Sequence, residues 1–160
     1  MDYRIITLQP KTLVGKQCTM SLANNATADL WRSFMPFREQ ILHTVASHLY
    51  SLQVYPPNYF ASYQPATLFT KWAAVEVEKV ENLPEEMDVF NLPEGMYAVF
   101  VHKGSQHDHS TFNYIYSEWL PGSDKFELDD RPHFELLGDK YRKDDPTSEE
   151  EIWVPVRVKE

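Results

Sequence analysis

From Leu68 to Val80 the chain runs without a glycine or a proline. Its apolar residues Phe69, Ala73, Val75 and Val77 fall on one side, and Trp72, Ala74, Glu76 and Glu78 on the other. That is the period of a β-strand, whose side chains alternate across a sheet. A strand of this length needs partners, so the chain is committed to a sheet before any other segment is read.

The rest supplies the partners. Arg4 to Leu8 and Thr12 to Met20 read as two extended segments broken at Pro10, which cannot donate to a central ladder. Asn24-Asn25 offers capping chemistry to a helix whose stripe is Leu30, Phe34, Phe37 and Ile41. Pro36 lies inside that stripe, which predicts a kink or break near Met35. Leu49 to Tyr55 reads as a strand. Val89 to Leu92, the turn Pro93-Glu94-Gly95, and Met96 to His102 read as a hairpin. A second helix starts near Ser110, with Phe112, Ile115, Tyr116 and Trp119 at helical spacing, and stops at Pro121-Gly122. His133 to Leu137 and Ile152 to Val158 are the last two strands, separated by the polar loop around Asp144-Asp145-Pro146. The order is strand–helix–strand–strand, twice. An α+β domain follows, an antiparallel sheet with both helices on one side. A cleft where the halves meet is the natural ligand site.

The 160 residues fit one domain, 1–160. No stretch approaches the ~18 apolar residues of a membrane span, and the N-terminus lacks the pattern of a secretory signal. Cys18 is the only cysteine, which excludes an internal disulfide and makes the cytoplasm the expected compartment. The net charge of −9 repels phosphate, so no direct DNA binding is expected. The same field attracts cations, although acidity also serves solubility alone. Four Trp, nine Tyr and nine Phe exceed what a minimal core needs. Aromatics fill cores first and build flat ligand platforms second.

The run Leu92-Pro93-Glu94-Gly95-Met96-Tyr97-Ala98-Val99-Phe100-Val101-His102-Lys103-Gly104 resembles the central hairpin of GyrI-like proteins. These are also called AraC-type effector-binding domains and include integron cassette effector-binding proteins. Leu30-Trp31-Arg32-Ser33-Phe34 resembles their first helix, Trp119-Leu120-Pro121 the end of their second, Pro132-His133-Phe134-Glu135 their acidic strand, and Glu151 to Val156 their last strand. The pieces come in the family's order over essentially the whole chain. The resemblance implies two strand–helix–strand–strand modules related by a pseudo-twofold, with a central ligand cleft between them. It also implies a stand-alone effector-binding protein, since many relatives are fused to helix-turn-helix regulators and others are free. Three activities follow from it: binding of multidrug-like cations, hydrolysis of strained electrophilic natural products, and protection of a target such as DNA gyrase. A homodimer or a protein partner stays open, and no cofactor is implied.

By resemblance, Glu135 points into the pocket. Strand alternation puts it with His133 and Leu137, opposite Phe134 and Leu136. A carboxylate enclosed by aromatics loses solvation worth several kcal/mol unless it is paired, and a bound cation restores that pairing and gains contact with ring faces. A strand glutamate near an acidic loop is equally a surface residue on pattern alone. Tyr97 either caps the pocket or anchors a core hydrogen bond, and in a hydrolase it would be the acid beside Glu135. Trp31, Phe34 and Trp119 lie on helix faces that meet the sheet and are core residues first, ligand contacts second. Trp72 shares a strand face with Glu76 and Glu78, which suggests a lined cavity or a covered edge. Tyr59, Phe60 and Tyr63 sit in a proline-flanked loop placed to form a lid. His102, His107 and His109 with Asp108 have the composition of a metal cluster, but adjacent residues entering a helix are explained by capping, and no metal site is assigned.

Overall fold

A computed structural model describes residues 1–160. Nine strands are ordered along the chain as β1 (Tyr3–Leu8), β2 (Lys11–Met20), β3 (Leu49–Val54), β4 (Phe69–Val77), β5 (Asp88–Leu92), β6 (Gly95–Lys103), β7 (Phe126–Leu128), β8 (His133–Leu137) and β9 (Glu149–Val158). Helix α1 (Thr27–Phe34) ends one residue before the expected break. Met35–Gln40, with Pro36 at its start, continues as a tighter 3-10 turn. Helix α2 (Ser110–Tyr114) passes through a π-helical stretch, Ile115–Trp119, into a last turn, Leu120–Gly122. Asn25 Oδ1 accepts the Thr27 N–H, and Asp108 Oδ1 accepts the Ser110 N–H, so each closes a turn just ahead of its helix, while the cap positions themselves, Ala26 and His109, make no side-chain bond.

All strand pairings are antiparallel. In the first module β4 lies between β2 and β3; in the second β9 lies between β6 and β8. The modules join where β3 pairs with β8, Leu49 opposite Leu137 through Gln53 opposite His133. Ser51 opposite Glu135 is the midpoint of that pairing, the place a pseudo-twofold axis crosses the sheet.

The hairpin expected from Val89 to His102 does not form. β5 pairs with β2, whereas β6 pairs with β1 and β9. The two chains run on instead of turning back: Leu8 lies opposite Gly95, and three residues along each chain Lys11 lies opposite Leu92. The register is therefore one, and Gln9-Pro10 and Pro93-Glu94 face each other within it. Neither proline can donate a backbone bond, so the ladder is interrupted there and resumes.

The face away from the helices carries the largest core cluster. It includes Leu13, Leu52, Trp72, Leu92, Tyr97, Phe134 and Trp153. Phe134 and Trp153 stack at 5.1 Å, and Tyr97 meets Phe134 edge-on at 5.3 Å. On the other face α1 packs Leu30 and Phe34 on Val14, Ala73, Val75 and Val77, and α2 packs Ile115 on Ala98, Phe100, Ile152 and Val154. Gly15 lets β2 and β4 approach, because a Cβ there would overlap the Ala73 carbonyl. Each helix covers its own module. The central strands β8 and β3 lie between them, so their helix-side row runs along the gap between the two helices.

No helix is long and apolar enough to cross a membrane.

Candidate functional site

Strand alternation and register identify the floor of the expected cleft. Residues facing the helix side are His133 and Glu135 on β8, Ser51 and Gln53 on β3, Lys71 on β4 opposite Gln53, Cys18 on β2 opposite Lys71, and Glu150 and Ile152 on β9. Glu135 is half-buried and not fully enclosed. One of its oxygens accepts a hydrogen bond from Gln53 Nε2 at 3.1 Å.

The aromatic end of the cleft is built from β3, the loop after it, and α2. Tyr55 meets His133 edge-on at 4.9 Å and stacks on Tyr59 at 4.4 Å. Phe60 lies parallel to Tyr116 at 5.3 Å and stacks on His133 at 5.1 Å, so the loop reaches across from one module to the other. The Tyr116 hydroxyl is 3.1 Å from His133 Nδ1. A π-helical turn spaces side chains more widely than an α-turn, and here Ile115 stays in the core while Tyr116 faces the cleft. Burial lowers the pKa of His133 to about 3, with a further push from Arg131, so its ring is neutral. Burial, and then the charge of Glu135, raise the Tyr116 hydroxyl. Tyr55 is raised by burial, with Tyr116 and then Glu135 adding to it.

The other end is polar. Burial and the neighbouring Glu135 raise Glu150 to about 7, against the opposing pull of Lys71. Burial and the charge of Glu150 raise Tyr141 to about 12. Lys71 is only 4% exposed. Burial lowers its pKa, while Glu135 and Glu150 act in the opposite direction. Two carboxylates and one ammonium thus share one floor beside a wall of ring faces. Such a site can hold an organic cation by charge and by cation–π contact.

The residues expected from the sequence divide. Glu135 lies half-buried on the helix-side row of β8, and Tyr59, in the loop after β3, is buried against Met20 and Phe69. Tyr97 and Trp72 are corrections: both belong to the core on the opposite face. Tyr97 is fully buried, and its hydroxyl donates to the Pro132 carbonyl at 2.7 Å, so it cannot serve as an acid for Glu135. The physical reason is register, since Tyr97 lies opposite Pro155 on the same face as Trp153 and Phe134. Trp31 and Phe34 pack edge-on at 5.7 Å in the core under α1. Trp119 packs on Tyr3 and Phe100 and borders an open depression of about 440 Å³ on the outer side of α2, away from Glu135. The histidines around α2 go to separate partners, His102 to Thr111 and His107 to Asp144.

Gln53, Lys71, Tyr116, Tyr141 and Glu150 were not singled out in the sequence as site residues. One signal was available: Lys71 interrupts the apolar row Phe69, Ala73, Val75, Val77 on its strand face.

Comparison with known proteins agrees with this architecture. Residues 1–157 match the model of the GyrI-like small molecule binding domain. The chain is 29% identical over 158 residues to the transcriptional regulator BrlR of Pseudomonas aeruginosa. That match covers 98% of this chain and 56% of the regulator, so the chain spans about half the length of the curated relative it matches. Among solved structures it superposes on SAV2435 bound to tetraphenylphosphonium with a TM-score of 0.75, at 20% identity, covering 98% of this chain and 94% of that one. It superposes on the integron cassette protein VCH_CASS2 of Vibrio cholerae with a TM-score of 0.66, at 16% identity, covering 97% and 95%. At these identities the two structures speak to the fold alone.

Proposed function

Because the chain belongs to the GyrI-like family of small-molecule binding domains, we propose that it binds a hydrophobic, aromatic cation in the cleft between its two modules, with Glu135 as counter-ion. The observation that carries this reading is the placement of Glu135: a half-buried carboxylate with one protein partner, Gln53, next to the ring cluster of Tyr55, Phe60, Tyr116 and His133. A carboxylate in such a setting keeps unused acceptor capacity. An organic cation would satisfy it and would gain about 0.5–2 kcal/mol from ring faces. The ligand bound by SAV2435 is of this chemical class, which supports the choice of probe.

Isothermal titration with tetraphenylphosphonium tests the reading. Saturable binding to the wild type that Glu135→Gln weakens by at least about tenfold, about 1.4 kcal/mol, supports it. Equal binding by both proteins overturns it.

A further inference from the structure

We propose that Lys71 is the selectivity-determining residue of this cleft, a resident counter-ion to Glu135 and Glu150 that sets how much positive charge a ligand can bring. The assignment rests on the cleft reading above and deepens it. Lys71 sits on β4, in register with Gln53 on one side and Cys18 on the other, so its side chain lies on the helix-side face of the sheet. It is almost entirely buried, yet it is not among the residues that form ion pairs. The charges that act on it are Glu135 from β8 and Glu150 from β9, with Cys18 of β2 beside it. A buried ammonium without a direct partner is costly, and elsewhere in this protein lysines stay near the surface or pair with glutamates, as Lys11 does with Glu76.

Charge arithmetic gives the consequence. At pH 8, above the value of about 7 to which Glu150 is raised, both carboxylates are ionised, and with Lys71 protonated the floor carries one net negative charge, which a monocation neutralises. A dication brings one charge too many, and a neutral ligand leaves the floor as it was. Removing the ammonium shifts this balance by one unit, so the gain in affinity should grow with ligand charge. Between charges that share a partly buried site without direct contact, one unit is worth on the order of tenfold in binding. Loss of mere packing would change all ligands alike.

The experiment compares wild type, Lys71→Met and Lys71→Arg by isothermal titration with triphenylphosphine oxide, tetraphenylphosphonium and methyl viologen, which are neutral, singly and doubly charged. The expected result for Lys71→Met is no change for the neutral probe, about a tenfold gain for the monocation, and a larger gain for the dication. Lys71→Arg keeps the wild-type pattern and controls for the fold. Equal changes for all three probes, or no change for any, overturn the assignment. Glu135→Gln run alongside separates the two readings: if it weakens tetraphenylphosphonium while Lys71→Met shows no charge grading, only Lys71 loses its role. If Glu135→Gln leaves tetraphenylphosphonium untouched, the cleft itself is wrong, and the Lys71 assignment falls with it.

Discussion

Ser51 faces Glu135 at the midpoint of the β3–β8 pairing, so the two modules place a small hydroxyl and a carboxylate at matching positions on the cleft floor. The two positions differ: Ser51 is buried, whereas Glu135 is half-buried and charged. Ser51→Leu should weaken tetraphenylphosphonium binding by about tenfold or more and cost about 1–3 kcal/mol of stability, because a larger side chain at a buried position must push its neighbours aside. Titration calorimetry and thermal unfolding of the same variant check both halves.

Cation binding should strengthen as pH rises from 6 to 8. Glu150, raised to about 7 by burial and by Glu135, becomes charged over that interval and adds its field to the cleft. Glu150→Gln should flatten the profile. An unchanged slope in the variant would show that Glu150 does not report to the ligand.

Stability should respond to pH through two groups with opposite signs. The folded state holds His133 at about 3, below its unfolded value. Below pH ~6.5 the unfolded chain takes up a proton that the fold refuses, so this stability is lost as pH falls from 6.5 toward 3, on the order of a few kcal/mol. Glu150 is raised, so the folded state holds its proton longer, and the corresponding stability is lost as pH rises from about 4.5 through 7. Denaturation midpoints across pH 4–8 should show His133→Phe removing the acid limb and Glu150→Gln raising the neutral one.

Phe60 bridges the modules through Tyr116 and His133. Phe60→Ala removes both of these cross-module ring contacts, each worth about 0.5–1.5 kcal/mol, along with edge contacts to Tyr55 and Tyr59 in its own module. A loss of about 1–2 kcal/mol in urea unfolding is expected, together with faster hydrogen exchange in residues 56–64.

Tyr97→Phe separates the two faces of the sheet. It leaves the buried Pro132 carbonyl without its donor and should cost about 1–3 kcal/mol of stability. Tetraphenylphosphonium affinity should stay within a factor of two of wild type, because Tyr97 lies across the sheet from Glu135.

Alternation and helical spacing made most elements legible in the sequence. β4 reads from its two faces, and the break at Pro36 follows from a missing N–H and a ring clash. Pairing was less legible. Pro93-Glu94-Gly95 is good turn chemistry, but β5 and β6 take partners far away in sequence, and local rules do not see those partners. β7, three residues long, is too short to show a period. Of the proposed site, Glu135 was read by resemblance, and it lies on the helix-side row of β8 opposite Ser51. Lys71 did not, because a lysine on a strand reads as solvent-facing until both modules fold over it. Glu150 was hidden in the same way, since three glutamates in a row at the start of β9 look like a loop.

The facing prolines have a consequence of their own. Where Pro10 stands across from Pro93, the ladder between the first and the middle part of the chain has no donor from either residue. Fraying that begins at the exposed β1 end therefore meets a firebreak: rungs can open as far as Leu8–Gly95 without unzipping Lys11–Leu92 beyond it. Each module keeps its own cooperativity, and damage to one end of the long ladder need not spread to the other.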